Sequence, residues 1–171
     1  MEILGLYDKN GLYLNESIER KNKTTIQDGR YYKVVMVFII NSKGQILVQK
    51  SSERKGNIFE ILGGHVKDKR SSRQTVIDEL NEELSLKCHP DEITFFKKYI
   101  YDDTKDKYIQ EVFYITKDID ERCLKCDESE VSFVKWLYLE QINRLIDNGD
   151  FREKNIKPYY EFIRYLKAAK Q

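Results

Sequence analysis

The stretch that most constrains this chain is YYKVVMVFII, residues 31–40, a run of aromatic and β-branched side chains carrying a single charge. It is far shorter than the roughly 20 apolar residues of a membrane-spanning helix, so protein must cover it. Its composition is that of a largely buried strand, and the turn NSKGQ followed by ILVQK makes a hairpin of the two. Residues 93–101 (ITFFKKYIY) and 108–116 (YIQEVFYIT) read as a second strand pair around the polar turn DDTKDK, and FVKWLYL (133–139) as a further strand with Trp136 in the core.

Helical signals sit in three places. SSRQTVIDELNEEL begins with capping serines and repeats Val76, Ile77, Leu80 and Leu84 at helical spacing. Leu139 to Asn148 closes on Gly149, and Pro158 is expected to open a last helix, PYYEFIRYLKAAK. Strands, one central helix, more strands and terminal helices predict a mixed α/β (α+β) fold, a central sheet with helices packed on it. The first thirty residues are polar, with a hairpin signal at Asn10-Gly11, and read as a leading subelement of a single domain spanning 1–171.

Composition removes several function classes. The 30 basic and 29 acidic side chains nearly cancel, which gives no electrostatic case for dedicated nucleic-acid or membrane-surface binding. The N-terminus, MEILGLYDKN, lacks the pattern of a signal peptide, so a soluble cytoplasmic protein is expected. Cys88, Cys123 and Cys126 are too few for a disulfide framework, and the C-x-x-C of 123–126 lacks further ligands at finger-like spacing, so they are read as reduced thiols.

The chemistry is concentrated in DELNEEL, residues 78–84, where Asp78, Glu79, Glu82 and Glu83 stand without an intervening Lys or Arg. At about 100° per residue, Glu79, Glu82 and Glu83 fall at roughly 0°, −60° and +40°, beside an apolar stripe spanning about 60° to 160°. The like-charge pairs Asp78/Glu82 and Glu79/Glu83 each cost a few tenths of a kcal/mol in solvent and more against protein. Such a face is either solvated or holds a counter-charge. An all-oxygen donor set suits a hard ion, Mg²⁺ or Mn²⁺. Immediately upstream, FEILGGHVKDKR supplies Gly63-Gly64, whose backbone can turn tightly and let a ligand approach its amides.

With these residues the sequence resembles the Nudix hydrolase family, whose signature reads G-x5-E-x7-R-E-U-x-E-E-x-G-U, U being aliphatic. Gly64, Glu79-Leu80, Glu82-Glu83 and Leu86 match; Arg70, Asp78 and Ser85 stand where the family has Glu, Arg and Gly. The family's Glu–Arg ion pair braces loop against helix, and Arg70 with Asp78 can form it with both signs inverted. A Ser for the helix-ending Gly is expected to cost on the order of 1 kcal/mol. GQILVQKSSERKGNIFEILGGHV and DESEVSFVKWLYLEQI also look like the segments flanking this motif in the family. The leading element resembles the layout of the isopentenyl diphosphate isomerase branch.

The resemblance implies a Nudix-like α/β/α sandwich and Mg²⁺- or Mn²⁺-dependent hydrolysis of a diphosphate bond in a nucleoside diphosphate linked to another group. It implies Glu79, Glu82 and Glu83 as catalytic metal ligands with the Gly63 carbonyl and Glu111. Glu79, Glu111, Glu128 and Glu130 are the candidates for general base. Glu111 also reads as a solvent-facing strand residue, His65 as a loop histidine with a backbone partner rather than a phosphate contact, and Tyr31, Tyr32, Phe38 and Phe59 as core rather than base-stacking rings. Arg54 and Lys55 read as loop charges facing water, with a phosphate contact as the alternative. The expected partner is a small-molecule nucleoside diphosphate derivative, and assembly as a homodimer stays open. The altered signature leaves a binding module without hydrolysis as the alternative. Isomerase chemistry is disfavoured, because residues 50–66 contain no cysteine.

Overall fold

The structure is a computed structural model that describes residues 1–171. The buried run forms β3 (Tyr32–Ile40), the axis of a seven-stranded mixed sheet. Its neighbour along the full length is β8 (Lys107–Thr116), parallel to it from Tyr32↔Tyr108 to Ile40↔Thr116. β7 (Thr94–Asp102) adds antiparallel to β8 with a register shift between Phe95 and Lys97, and closes that edge.

On its other side β3 has two partners, and the sheet forks. β4 (Ile46–Ser51) meets β3 only at Ile40↔Ile46, next to the turn, and then diverges to pair with β5 (Phe59–Glu60) and β9 (Val131–Leu137). The short β6 (Gly63–His65) takes the vacated edge of β3 through Val34, Val35 and Met36. The hairpin read from the sequence is thus a hairpin at its turn alone.

Alternation along β3 builds two cores. Val35, Val37 and Ile39 face α1 (Ser72–Leu84), where they meet Val76, Leu80 and Leu84. Met36, Phe38 and Ile40 face α2 (Leu139–Asp147) and α3 (Glu153–Ala169), with the Phe38 and Phe162 rings stacked at 4.3 Å. Each large side chain so buried contributes about 1.5–3 kcal/mol. The result is helix, sheet and helix layers with a mixed central sheet.

The leading subelement is a separate two-stranded sheet, β1 (Ile3–Tyr7) with β2 (Tyr13–Glu19), followed by a 3-10 turn at Arg20–Thr25. Asp8 accepts from the amides of Asn10 and Leu12, and Gly11 takes φ 86°, so this turn closes at Asn10-Gly11. Reciprocal Tyr7–Tyr31 amide bonds tie it to the start of β3.

Three points differ from the sequence reading. β9 ends at Leu137, because Tyr138 serves as the cap of α2. α3 begins at Glu153, five residues before Pro158, and the buried Pro158 lies inside the helix, where it has no N–H to give to the preceding turn. Trp136 is only partly buried, its indole N–H donating to the Ile119 carbonyl at 2.8 Å.

Candidate active site

The fork opens a cavity of about 750 Å³ between β6 and the β4–β5 arm. Gly63 and Gly64 on β6, Gln49 on β4, Glu60 on β5 and the acids Glu79, Glu82 and Glu83 of α1 all line it. Three of these acids were read from the helix pattern. Gln49 and Glu60 were missed, because each sits in a short strand whose lateral neighbour is set by the fork.

α1 is aimed by its caps. The Ser71 hydroxyl accepts from the Gln74 amide at 3.1 Å, and Ser85 ends the helix in the left-handed conformation at φ 53°, its amide reaching the Asn81 carbonyl at 3.0 Å. The loop before it turns through Lys69 at φ 59° and is fastened by a two-pronged pair: Arg70 Nε to Asp78 Oδ2 at 2.8 Å and Arg70 Nη2 to Asp78 Oδ1 at 2.9 Å. Gln74 adds a third bond to Asp78 at 3.0 Å. The inverted charges thus join loop and helix.

The two glycines have different duties. A Cβ on Gly63 would overlap the Val35 carbonyl oxygen across the β3–β6 ladder; a Cβ on Gly64 would overlap the carboxyl end of Glu79. Glu79 is therefore seated directly over bare backbone. Glu83 is buried, 7% exposed, and its Oε2 accepts from Gln49 Nε2 at 3.3 Å. The same Gln49 amide donates to Glu60 at 3.1 Å, while Gln49 Oε1 is buried with no partner. Glu60 is further paired with Arg152.

Burial, and then the charges of Glu83 and Glu82, push the Glu79 carboxyl up to about 8, against the pull of Lys67 and Lys55. Burial likewise raises Glu83 to about 7, opposed by the Gln49 hydrogen bond and Lys55. These acids are strained as anions at neutral pH. No three His, Cys, Asp or Glu side chains already converge as a closed ion cage. The donors are all oxygen, and an orphaned Gln49 oxygen adds another neutral one, so the residues present fit a hard divalent ion.

The other expected site residues divide. Glu111 is not a cavity residue: it pairs with Lys33 at 3.4 Å, on the strand position next to Gln110, which does face the cavity. Glu130 lines the cavity but is held by Arg54 at 2.9 Å and by Lys55, while Glu128 is exposed and outside it. Asp127, which was not singled out from the sequence, lines the cavity, its amide bonded to the Glu83 carbonyl at 2.9 Å.

His65 lacks the expected backbone partner; its ring stacks on Tyr32 at 5.6 Å and its Nε2 is buried without a hydrogen bond. Tyr31 and Phe38 are core, Tyr32 is buried with one edge on the cavity, and Phe59 is half-buried beneath the Lys50 ammonium. All three cysteines are free, and none lines the cavity. No helix is long and apolar enough to cross a membrane.

Comparison with known proteins agrees with this geometry. The family profile described as NUDIX domain matches residues 30–160. A Listeria innocua protein described as an uncharacterized Nudix hydrolase is 30% identical over 147 residues, covering 81% of this chain and 85% of that one. Among solved structures, the Nudix domain of NrtR from Shewanella oneidensis, complexed with ADP ribose, superposes with a TM-score of 0.66 at 13% identity, covering 87% of this chain and 94% of that one. A bifunctional NMN adenylyltransferase/ADP ribose pyrophosphatase from Francisella tularensis, complexed with AMP and a Mn ion, has a TM-score of 0.61 at 16% identity, covering 79% of this chain and 42% of that one. At such identities the structures attest the fold, and the profile with the Listeria relative attests the family. This chain therefore belongs to the Nudix hydrolase family of pyrophosphatase-type enzymes.

Proposed function

We propose that the chain hydrolyses the diphosphate bond of a nucleoside diphosphate linked to another group, with Mg²⁺ or Mn²⁺. The observation that carries this reading is the seat of Glu79 over Gly64, with Glu82 and Glu83 beside it on one cavity wall. Glu79, Glu82 and Glu83, with the Gly63 carbonyl, would hold the ion, which offsets diphosphate charge and acidifies a bound water. Gln49 keeps Glu83 turned towards the cavity, and Asp78 with Arg70 keeps α1 against the loop. Among the candidate bases, Glu79 is the acid inside the cavity without a cationic partner, whereas Glu130 and Glu111 are engaged by Arg54, Lys55 and Lys33. Glu79 is therefore the acid offered as base for the attacking water, in the ionised form that a bound cation would favour.

The test is a panel of nucleoside diphosphate derivatives incubated with Mg²⁺, scored by phosphate released after added phosphatase. Turnover of at least one compound is expected, lowered on the order of a hundredfold or more in Glu82→Gln and Glu83→Gln, as for loss of a charge-stabilising group. Absence of turnover, together with Mg²⁺ thermal shifts that the two variants leave unchanged, overturns the reading.

A further inference from the structure

The acidic wall occupies one end of the cavity. At the other end Arg20 and Lys23, from the 3-10 turn after β2, and Lys154, from the first turn of α3, face the same space as Tyr32, His65 and Tyr108. Arg20 is paired with Glu2 at 2.6 Å, and Lys154 with Asp106 at 2.6 Å. Lys23 has no carboxylate of its own: its ammonium donates to the Tyr32 hydroxyl at 3.3 Å and lies 5.2 Å from that ring's centre. Asp106 already accepts the Tyr32 hydroxyl at 2.6 Å, so three cations share two carboxylates.

That arrangement is electrostatically unfinished. Burial first, with the charges of Lys154 and Arg20, holds Lys23 below its ordinary value despite the pull of Asp106. Beside it, the His65 ring lies flat against Tyr32 and leaves a buried Nε2 with nothing to bond. A half-buried ammonium without its own counter-ion, next to an orphaned polar atom, is costly unless a ligand satisfies both.

Position separates this end from the acidic one. Tyr32 and Val35 lie three residues apart on β3, Val35 stands opposite Gly64, the seat of Glu79, and His65 falls between them opposite Val34. At a strand rise of about 3.3 Å per residue Tyr32 is about 10 Å from that seat, longer than the two phosphoryl groups of one diphosphate can bridge. We propose that Lys23, with Arg20, Lys154 and His65, forms a second anion subsite that takes a phosphate monoester carried by the substrate on the side away from the cleaved diphosphate. A dianion suits it: three cationic side chains from two separate elements converge, and the exposed Arg20 and Lys154 can turn to meet a second and third oxygen. That the monoester and the diphosphate belong to one molecule rests on the hydrolase reading above; the anion subsite itself does not.

The experiment separates the two. The full chain in EDTA, titrated with inorganic phosphate by calorimetry, is expected to bind in the wild type and in Glu82→Gln, and to bind about tenfold or more weakly in Lys23→Gln, the loss of one charge-assisted bond. In Mg²⁺, a diphosphate substrate bearing a terminal phosphate monoester is expected to lose about tenfold in kcat/KM in Lys23→Gln, while its dephosphorylated counterpart is unchanged. Equal phosphate affinity in wild type and Lys23→Gln overturns the subsite. If Lys23→Gln fails to fold, Lys154→Gln decides by the same readout. Lys23-dependent phosphate binding without hydrolysis of any diphosphate keeps the subsite and removes the hydrolase reading. Hydrolysis that shows no preference for the monoester, in a protein that still binds phosphate through Lys23, overturns the substrate class.

Discussion

At the scale of single residues, the diglycine separates two effects that one substitution type can distinguish. Gly63→Ala sets a methyl against the Val35 carbonyl, a backbone group fixed in the sheet, whereas Gly64→Ala meets only the end of a flexible Glu79 side chain. Gly63→Ala should therefore cost stability, about 1–3 kcal/mol as for overpacking, seen as a lower denaturant midpoint. Gly64→Ala should leave that midpoint nearly unchanged while evicting Glu79 from its seat, with activity falling on the order of a hundredfold as catalytic geometry is lost. Equal destabilisation by both would contradict the assignment of Glu79 to that seat. Ser85 gives a third test. It occupies the left-handed position that ends α1, at φ 53°, where a side chain is unfavourable. Ser85→Gly should raise stability by about 1 kcal/mol, or about 2–4 °C in Tm, without altering the carboxylates.

At the scale of the element, α1 is a helix whose acid face is unfavourable until something neutralises it. Glu79 and Glu83 are raised to about 8 and about 7, above the ordinary glutamate value of about 4.5 that the unfolded chain retains. The folded state thus holds protons that the unfolded state has released. The stability they contribute is full below about pH 4.5 and is lost as pH rises through 7 to 8. In EDTA, thermal melts should show Tm falling across that window, by a few kcal/mol in stability at about 1.4 kcal/mol per pH unit per group. Mg²⁺ should restore more stability at pH 8.5 than at pH 5.5, and a metal shift independent of pH would count against these acids as ligands. The Arg70–Asp78 pair belongs to the same element. It is partly exposed, so each single reversal, Arg70→Glu or Asp78→Arg, should cost about 1 kcal/mol, and the double reversal should recover most of it.

The acid face and the inverted pair were legible because helical spacing and a short loop place them locally. Gln49, Glu60, Asp127 and Lys23 were not, because they arrive from elements that meet only once β3 is forked and the leading hairpin has folded back. Pro158 misled for the opposite reason: its local preference for a helix start is overridden by the residues before it, the buried Asn155, whose Oδ1 accepts from the Ile61 amide at 2.8 Å, and Ile156, which packs on the core, so that α3 begins five residues earlier.

At the scale of the molecule, β3 links everything that matters. Its even-numbered positions pass from the turn at Ile40, beneath α3, past Gly63 and on to Tyr32 at the basic end, while its odd-numbered positions carry α1. Val35, Val37 and Ile39 are each no more than 3% exposed, and β3 pairs with β8 along its whole length and with β6 on the opposite edge. The leading hairpin makes fewer hydrogen bonds to the rest, the Tyr7–Tyr31 amide bonds, Asp68 N to Ile3 O and the Tyr13 hydroxyl on Asp68 at 2.8 Å, and it packs through Leu4, Leu6 and Tyr7 of β1 while β2 stays largely exposed. Native-state hydrogen exchange should accordingly show two tiers. Amides of β3 and β8 should exchange only with global unfolding, and those of β1 and β2 by a local opening of lower free energy that detaches Arg20 and Lys23 from the cavity. Inorganic phosphate should slow exchange in β1 and β2 without changing β3, because a ligand gripped by Lys23 stabilises the closed hairpin alone against that opening. Uniform protection across both sheets would mean that the hairpin is part of one cooperative unit, and that the basic end of the cavity is fixed rather than gated.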